Sequence, residues 1–466
     1  MEHQANDFLE TEKIGKLMRK FAVPCIISLL VGALYNIVDQ VFIGWGVGFL
    51  GNGATNVVFP MTVIALAIAT MIGDGACTFV SIRLGAKDPD SAHKSVGNAI
   101  IISLVASLLL TVIYFVFQDS ILYAFGATEN NLPYAKEYFT WITIGIPFYM
   151  FANTLNPIIR SDGNPKFAML CMLGGAVLNI ILDPIAIFVL GWGMRGAAIA
   201  TVLGQLLSAG LSLAYIFRMK AIKLSKISFR LNGSLIMKFI TLGLCTLLSQ
   251  LSMVISMGFT QNMLRTYGSA SIYGADIPIT VIGIVCKFFQ IVMSIVIGIS
   301  AGCIPIVGYN IGAGRKDRVK GILVRLIGCE AIVGVVALCL FQFFPAQLIS
   351  LFGSESDLYM QFAVVAFRTY LAMVVLACVN KASFIFLQAM GRPWLSTGLS
   401  FLREVLLSVP LVMILPRYMG LDGILYSMPI SDLIAFVPSV LVLVLTYRQL
   451  SKDEPLKSEL APENAI

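Results

Sequence analysis

Two small groups of polar residues, each containing one carboxylic acid, interrupt long apolar stretches of the chain. The first group is Asn36, Asp39 and Gln40, and the second is Asn179 and Asp183. If both stretches are helices, spacings of three and four residues place each group on one helix face. A carboxyl group desolvated there can hold or release a proton near physiological pH. With amide oxygens beside it, the same group could instead coordinate a sodium ion, because hard cations take oxygen ligands.

The composition places these groups in a membrane. Of 466 residues, 58% are hydrophobic and only 12% are charged, whereas soluble domains typically have about 25% charged residues. The apolar stretches suit helices of about 20 residues, which cross about 30 Å of hydrocarbon. We predict an all-α integral membrane protein with twelve spans: Leu17–Ile43, Ala54–Leu84, Ser95–Phe117, Tyr134–Ile159, Phe167–Leu190, Gly196–Phe217, Leu235–Leu264, Pro278–Ile311, Gly321–Phe344, Leu358–Met390, Leu395–Leu415 and Leu421–Tyr447.

Basic residues are concentrated in alternate connections between the spans, including residues 218–234. The other connections hold only four: Lys136, Arg195, Arg265 and Arg417. An even number of spans puts both termini on one side, and the basic connections indicate the cytoplasmic side. We therefore expect a multi-pass protein of the inner or plasma membrane with both termini in the cytoplasm. The net charge of +7 follows from this asymmetry and requires no nucleic-acid partner.

The second half of the chain repeats the first at a constant offset in the numbering, 302 − 75 = 227. Residues 75–86 read GACTFVSIRLGA, and residues 302–313 read GCIPIVGYNIGA. Other pairs keep this offset to within one position: Phe125-Gly126 and Phe352-Gly353, Gly163 and Gly391, Pro165 and Pro393, Gly193 and Gly420, Gly196 and Gly423. Bundles built as two related halves are typical of secondary transporters. We predict an N-lobe (1–217), a cytoplasmic linker (218–234), a C-lobe (235–447) and a cytoplasmic tail (448–466).

A charge at bilayer depth costs at least about 2.5–3.5 kcal/mol on insertion scales. Asp39 and Asp183 could simply hydrogen-bond neighbouring helices, but two such acids in one half favour ion binding. Asp74 and Glu330 lie closer to predicted span ends, where a carboxylate can reach water or headgroups. The nine cysteines lie singly within spans, so neither a disulfide framework nor a cysteine metal site is predicted.

The second half carries different polar residues at matching places. Four of them fall within the seventh, eighth, tenth and eleventh spans: Gln250, Lys287, Asn380 and Arg403. Arg403 and the adjacent Glu404 could form a buried pair, or could only lock the bundle. Basic residues in place of acids suggest that the ion site lies in the first half only.

Six segments of the chain resemble the MATE (multidrug and toxic compound extrusion) family, in particular its bacterial MepA-like branch. They are PCIISLLVGALYNIVDQVFIG, GACTFVSIRLGAKD, NTLNPIIRSDGNPK, LNIILDPIAIF, IPIVGYNIGAGRKDRVK and GLDGILYSMPISD. The resemblance covers nearly the whole chain. It implies a V-shaped pair of pseudo-symmetric six-helix bundles that exports organic cations and other drugs in exchange for protons or sodium ions.

The resemblance also implies roles for individual residues. Carried over by position, Asp39, Asn179 and Asp183 would form the cation site of the N-lobe, with Asn153 or Asn156 nearby. Asp39 and Asp183 would be the metal ligands if the coupling ion is sodium. Further candidates for the substrate cavity are Asn36, Gln40, Gln250, Lys287, Asn380 and Arg403.

The chain departs from the sodium-coupled branch of the family at two places in the second half. Gln250 stands where those members have Glu in the seventh span, and the tenth-span Asp is replaced near Asn380. A C-lobe cation site is therefore in doubt, and the N-lobe carboxylates are the stronger candidates. The choice between proton and sodium stays open.

We interpret the chain as a multidrug antiporter that exports amphipathic compounds, cationic ones in particular. We expect it to act as a monomer in lipid, without a cofactor. A flippase for lipid-linked precursors is the main alternative, and the intramembrane carboxylates argue against it. A channel is another alternative function. An intramembrane enzyme is a further alternative, but no Ser/His or metal-ligand constellation supports it.

Overall fold

The computed structural model describes residues 6–274, 276–350 and 356–452, and within them every regular element is helical. Eleven helices are long and apolar enough to cross a bilayer, and a bent pair provides a twelfth span. The predicted all-α membrane fold is confirmed. We name the spans in chain order: α1 Ile14–Gly46, α2 Phe49–Gly85, α3 Pro89–Val116, α4 Leu132–Ser161, α5 Pro165–Pro184, α6 Gly193–Ile216, α7 Gly233–Ser269, α8 Asp276–Gly312, α9 Lys316–Phe343, α10 Asp357–Tyr370 with Val374–Ala389, α11 Pro393–Phe401 with Ser408–Met419, and α12 Leu421–Leu450.

Two turns between spans are set by side-chain caps followed by proline. The Asp88 carboxylate accepts the backbone N–H of Ser91 at the start of α3. The Asn164 side chain accepts that of Phe167 at the start of α5. Proline is tolerated in a first helical turn, where its missing N–H has no intrahelical partner. These caps fix where both spans begin.

The tenth span is not the continuous helix that the sequence predicted. It breaks after Tyr370, and its two parts are bent by 45°. The break leaves main-chain carbonyls without helical partners. Gln342 on α9 donates its side-chain N–H to the carbonyl of Arg368 at 2.8 Å. Broken helices persist at membrane depth only where neighbours satisfy the backbone in this way.

Two further spans contain π-helical turns, which do not lie at equivalent positions of the repeat. In α5 the turn Ile185–Val189 follows Pro184 directly. In α11 the turn Leu402–Leu407 joins its two α-helical parts. Such turns are frequent at functional sites.

The apolar core is divided according to the two halves. One cluster contains only first-half residues, such as Ile43 and Met194. A second contains only second-half residues, such as Leu264 and Val281. Both lie at the end of the bundle farthest from the linker between α6 and α7. The largest cluster joins residues of both halves near the linker. The halves therefore pack at the linker end, and the cleft between them opens at the opposite end.

The linker is fastened to the first half at two places. Asn98 on α3 donates to the carbonyls of Ser228 (3.4 Å) and Arg230 (3.0 Å). The Asp162 carboxylate accepts the backbone N–H of Ala221 at 2.8 Å. Burial raises the pKa of the Asp162 carboxyl above its usual value, and its hydrogen bonds oppose that effect.

The lobe boundaries given above stay predictions. Residues 352–353 of the repeat, and the tail from residue 453 onward, lie outside the described residues.

Candidate functional site

The structure brings the two predicted carboxyl groups together. Asp39 on α1 and Asp183 near the end of α5 lie within hydrogen-bonding reach of each other. Their exposed fractions are 7% and 0%. Among the described residues, no other group donates a hydrogen bond to Asp39 Oδ1 or Asp183 Oδ2. Two carboxylates in such contact repel each other unless a proton or cation lies between them. This arrangement can hold one positive charge.

Asn179 fixes the second carboxyl group. Its Nδ2 donates to Asp183 Oδ1 at 3.1 Å and to Thr201 Oγ1 on α6 at 3.2 Å. Asn179 is buried, and in the described part of the chain its Oδ1 has no hydrogen-bond partner. A buried amide oxygen without a donor is a ready ligand for a cation, or an acceptor for a water molecule.

Three residues that the sequence analysis did not select complete the surroundings of the pair. Tyr35 on α1 and Tyr138 on α4 lie close enough to interact electrostatically with both carboxyl groups. The Tyr138 hydroxyl lies near the Thr201 side chain. Tyr35 precedes Asp39 by four residues, so helical spacing could have identified it. Tyr138 and Thr201 carry no comparable local signal.

A small cavity of about 50 Å³ adjoins Asn179 between α1, α4, α5 and α6. Its polar lining includes Ser28, Tyr149, Asn153 and Gln205. A water molecule needs roughly 10–15 Å³ measured in this way, whereas drug pockets measure about 300–1,000 Å³. The cavity therefore has room for a few water molecules beside the carboxyl pair, but none for a drug.

The remaining N-lobe candidates lie around the site without contacting the carboxyl groups. Asn36 is exposed and donates to the carbonyl of Gly32 in its own helix at 2.7 Å. Gln40 is half-buried. Asn153 lines the cavity. Asn156 instead ties α4 to α5, because its Nδ2 donates to the Ala168 carbonyl at 2.9 Å.

Two C-lobe candidates lie on helices that border the gap between the halves. Gln250 lies midway along α7 and is half-buried. Lys287 lies in the first half of α8 and is also half-buried. The α8 helix packs against α1 and α2, and α7 packs against α2.

The other C-lobe candidates belong to a cluster of four charged side chains. Arg403 and Glu404 lie on the π turn of α11. Arg403 Nη2 lies 2.8 Å from Asp432 Oδ1 on α12. Lys381 Nζ on α10 lies 2.9 Å from Glu404 Oε1. We call Lys381, Arg403, Glu404 and Asp432 the C-lobe charge cluster.

The second half contains buried acids as well as the bases that the sequence analysis noted. Glu404 and Asp432 balance the two bases, so the cluster has no net charge. The sequence analysis did not select Asp432, although it lies in the middle of the predicted span Leu421–Tyr447, where a carboxyl group is a candidate site residue. Asn380, a predicted site residue, donates to the Asp432 carbonyl at 3.1 Å.

The structure also places the two acids that were assigned to span ends. Asp74 on α2 pairs with Arg160 on α4 at 3.3 Å, and its side chain is 14% exposed. Glu330 on α9 is fully buried, so the expectation that it reaches water is wrong. Ser300 on α8 donates to its Oε1 at 2.8 Å. Packing between helices buries that face of α9.

Comparison with known proteins identifies the family. The MatE family profile matches residues 24–185 and 262–414. The multidrug export protein MepA of Staphylococcus aureus is 26% identical over 454 residues, covering 96% of this chain and 97% of its own length. MepA of Staphylococcus saprophyticus is 27% identical over 459 residues, with the same coverage.

Solved structures agree with this assignment. The MATE multidrug transporter DinF-BH, solved as a complex, is 32% identical, with a TM-score of 0.87, covering 96% of this chain and 98% of its own. An outward-facing MATE family transporter of the MOP superfamily is 24% identical, with a TM-score of 0.88 and coverage of 97% and 99%, and it supports the fold alone. The predicted family is confirmed, and the chain belongs to the MATE family of multidrug efflux transporters.

Proposed function

We propose that this transporter exports organic cations and other amphipathic compounds in exchange for H⁺ or Na⁺ bound at Asp39 and Asp183. The contact between these two buried carboxyl groups carries the proposal. In the described part of the chain, no Lys, Arg or His side chain forms an ion pair with either of them. A buried acid without a base must be neutralised, and here a mobile cation can do so.

The site can couple ion and drug because neutralisation changes the contact between α1 and α5. With a proton or cation present, the two carboxyl groups can remain together. Without one, their repulsion favours separation of the helices. A ligand shifts a conformational equilibrium only if it binds one state more tightly. The ion would favour the state that releases drug, and the drug would favour the other.

The similarity to multidrug export proteins supports a substrate range of drugs. The small N-lobe cavity does not admit a drug, so we place drug binding in the cleft between the halves. Candidates on the helices bordering that cleft are Asn36, Gln40, Gln250 and Lys287. We further propose that the protein acts as a monomer, with no cofactor beyond the coupling ion.

Transport by the purified protein in liposomes tests this function directly. Efflux of a fluorescent organic cation is measured under an imposed pH gradient alone and then under a sodium gradient alone. We expect one gradient to drive efflux, which also identifies the coupling ion. Efflux down the drug's own gradient that neither ion gradient changes would indicate a channel or uniporter and contradict the proposal.

We also propose that the linker end of the bundle faces the cytoplasm. The segregation of basic residues supports this orientation. The cleft would then open to the outside, as an exporter requires when it releases drug. Accessibility tags at both termini and near Ser225 should report the cytoplasm, and tags near Asn52 and Thr128 should report the outside. Extracellular labelling of the linker would contradict this orientation.

A further inference from the structure

The C-lobe charge cluster occupies the place that the water-sized cavity occupies in the N-lobe. The offset of the internal repeat, kept to within one position, relates cavity-lining residues of the N-lobe to cluster residues. The pairs are Gln205 and Asp432, Gly175 and Arg403, Ala176 and Glu404, and Asn153 and Lys381. Small or neutral residues thus surround a cavity in one half, and charged ones meet in the other.

The two halves hold the same number of carboxyl groups in these sites but differ in their bases. Asp39 and Asp183 have no ion-pair partner among the described residues. Each acid of the cluster pairs with a base on another helix, at 2.9 Å for Glu404 and 2.8 Å for Asp432. The side chains of Lys381 and Arg403 are each only 18% exposed. The cluster is therefore neutralised by its own side chains.

We propose that the ammonium group of Lys381 permanently neutralises the Glu404 carboxylate. It takes the place of the mobile H⁺ or Na⁺ that neutralises the carboxyl pair of the N-lobe. The C-lobe consequently takes no coupling ion, and the chain operates with a single ion site. This inference rests on the proposed ion coupling and specifies which half carries it. It also identifies Lys381 as a residue that determines how many ions are used.

Removal of the Lys381 charge should expose a latent cation site. Removing one partner of a buried pair leaves an uncompensated charge, and that is strongly destabilising. Arg403 cannot fully replace Lys381, because it lies 3.7 Å from Glu404 and already binds Asp432. Among the described residues, the titratable and charged groups that face the cluster are Lys381, Tyr370 and Cys378 on α10, Arg403 and Glu404 on α11, Asp432 on α12, and Cys245 on α7. A proton or Na⁺ from solvent would then neutralise Glu404.

Thermal unfolding of the full-length protein in detergent tests this proposal without transport. All variants carry Asp39→Asn and Asp183→Asn, so that the N-lobe pair does not respond to ions. The midpoint Tm is measured against NaCl, with choline chloride keeping ionic strength constant, and separately against pH. We expect Lys381→Met to acquire a Tm that rises with Na⁺ or with falling pH, because binding to the folded state alone stabilises it. The background with Lys381 intact should lack the dependence on Na⁺ and should show only the weaker pH dependence of the buried acids that all variants share.

Two matched variants complete the test. Lys381→Arg keeps a cation and should behave as the background does. Lys381→Met combined with Glu404→Gln removes both charges, and the new ion dependence should disappear. Recovery of folded Lys381→Met only at high Na⁺ or low pH would also support the proposal. If Lys381→Met responds to neither ion, or unfolds in all conditions while the variant with Glu404→Gln folds, Lys381 is only a structural partner.

Failure of the wild type to respond to either gradient in liposomes would overturn the proposed coupling itself, and this Tm measurement is independent of that result.

Discussion

Gly85 and Gly312, which are equivalent positions of the internal repeat, each lie against the main chain of the other's helix. A Cβ atom at Gly85 would overlap the carbonyl oxygen of Tyr309, and one at Gly312 would overlap that of Ile82. Ile82 and Tyr309 are themselves equivalent in the repeat, at the same offset. The repeat therefore generates a two-fold crossing of α2 and α8 at the linker end, where the halves are held together.

This crossing predicts a position-specific effect of one methyl group. Gly312→Ala should lower the free energy of unfolding by about 1–3 kcal/mol, because the surrounding main chain must move to relieve the overlap. Gly283→Ala on the same helix is the control, since a Cβ there meets no atom within 4 Å. Tm measured by tryptophan fluorescence compares them. Equal Tm values for both variants would contradict the described packing.

A second contact between the halves is made by the N-terminal segment, residues 6–12. Asn6 donates to the Ser161 carbonyl of the first half at 2.9 Å. Arg318 on α9 of the second half donates to the carbonyls of Glu12 (2.6 Å) and Leu9 (3.2 Å). The segment thus closes the linker end, and it must detach from one half when that end opens.

Arg318→Ala should therefore favour opening at the linker end. Hydrogen bonds of a charged group contribute about 1.5–3 kcal/mol each, so the loss of even one of them should raise access from this side by at least about tenfold. The measurement is the labelling rate of buried Cys25 by a water-soluble maleimide, with the other cysteines replaced. Arg325→Ala is the matched control, because within the described residues Arg325 donates only to Gly321 of its own helix. Unchanged labelling in Arg318→Ala would show that the segment does not hold this end closed.

The membrane class and the repeat were predictable because each depends on local composition and spacing, and the joining of Asp39 and Asp183 followed from the family resemblance. The break in α10 and the π turn of α11 were not predictable in this way. The first depends on Gln342 of another helix to satisfy a carbonyl, and the second contains no proline. Glu330 was misjudged for a related reason, since partners distant in the sequence decide whether a carboxyl group is buried.

The hydrogen bond between Asn179 and Thr201 predicts a role for a hydroxyl group that the sequence did not indicate. Thr201→Val keeps the shape of the side chain but removes the acceptor for Asn179. Loss of this bond should free the Asn179 amide and lower ion-driven efflux several-fold, while expression stays normal. Thr111→Val on α3 is the control, because in the part of the chain that the structure describes its hydroxyl donates only to the Ser107 carbonyl of its own helix. Efflux at the wild-type rate in Thr201→Val would exclude this residue from the site.

The contact between Asp39 and Asp183 gives the most direct test of ion coupling. We expect both Asp39→Asn and Asp183→Asn to insert and fold normally, because removing a buried charge lowers the desolvation cost. Ion-driven efflux should nevertheless fall by at least about fivefold, within the range typical of coupling between two sites. An amide can accept a hydrogen bond, but it can neither exchange a proton nor neutralise a sodium ion.

Drug affinity measured against pH and against sodium separates loss of coupling from loss of drug binding. In each variant the affinity should become independent of the ion that drives the wild type, because the ion no longer favours one conformation. Asp119→Asn is the matched control, since its carboxylate is 59% exposed and pairs with Lys136 at 2.8 Å outside the apolar core. It should transport normally. Normal efflux by both site variants, at wild-type expression, would remove Asp39 and Asp183 from the mechanism.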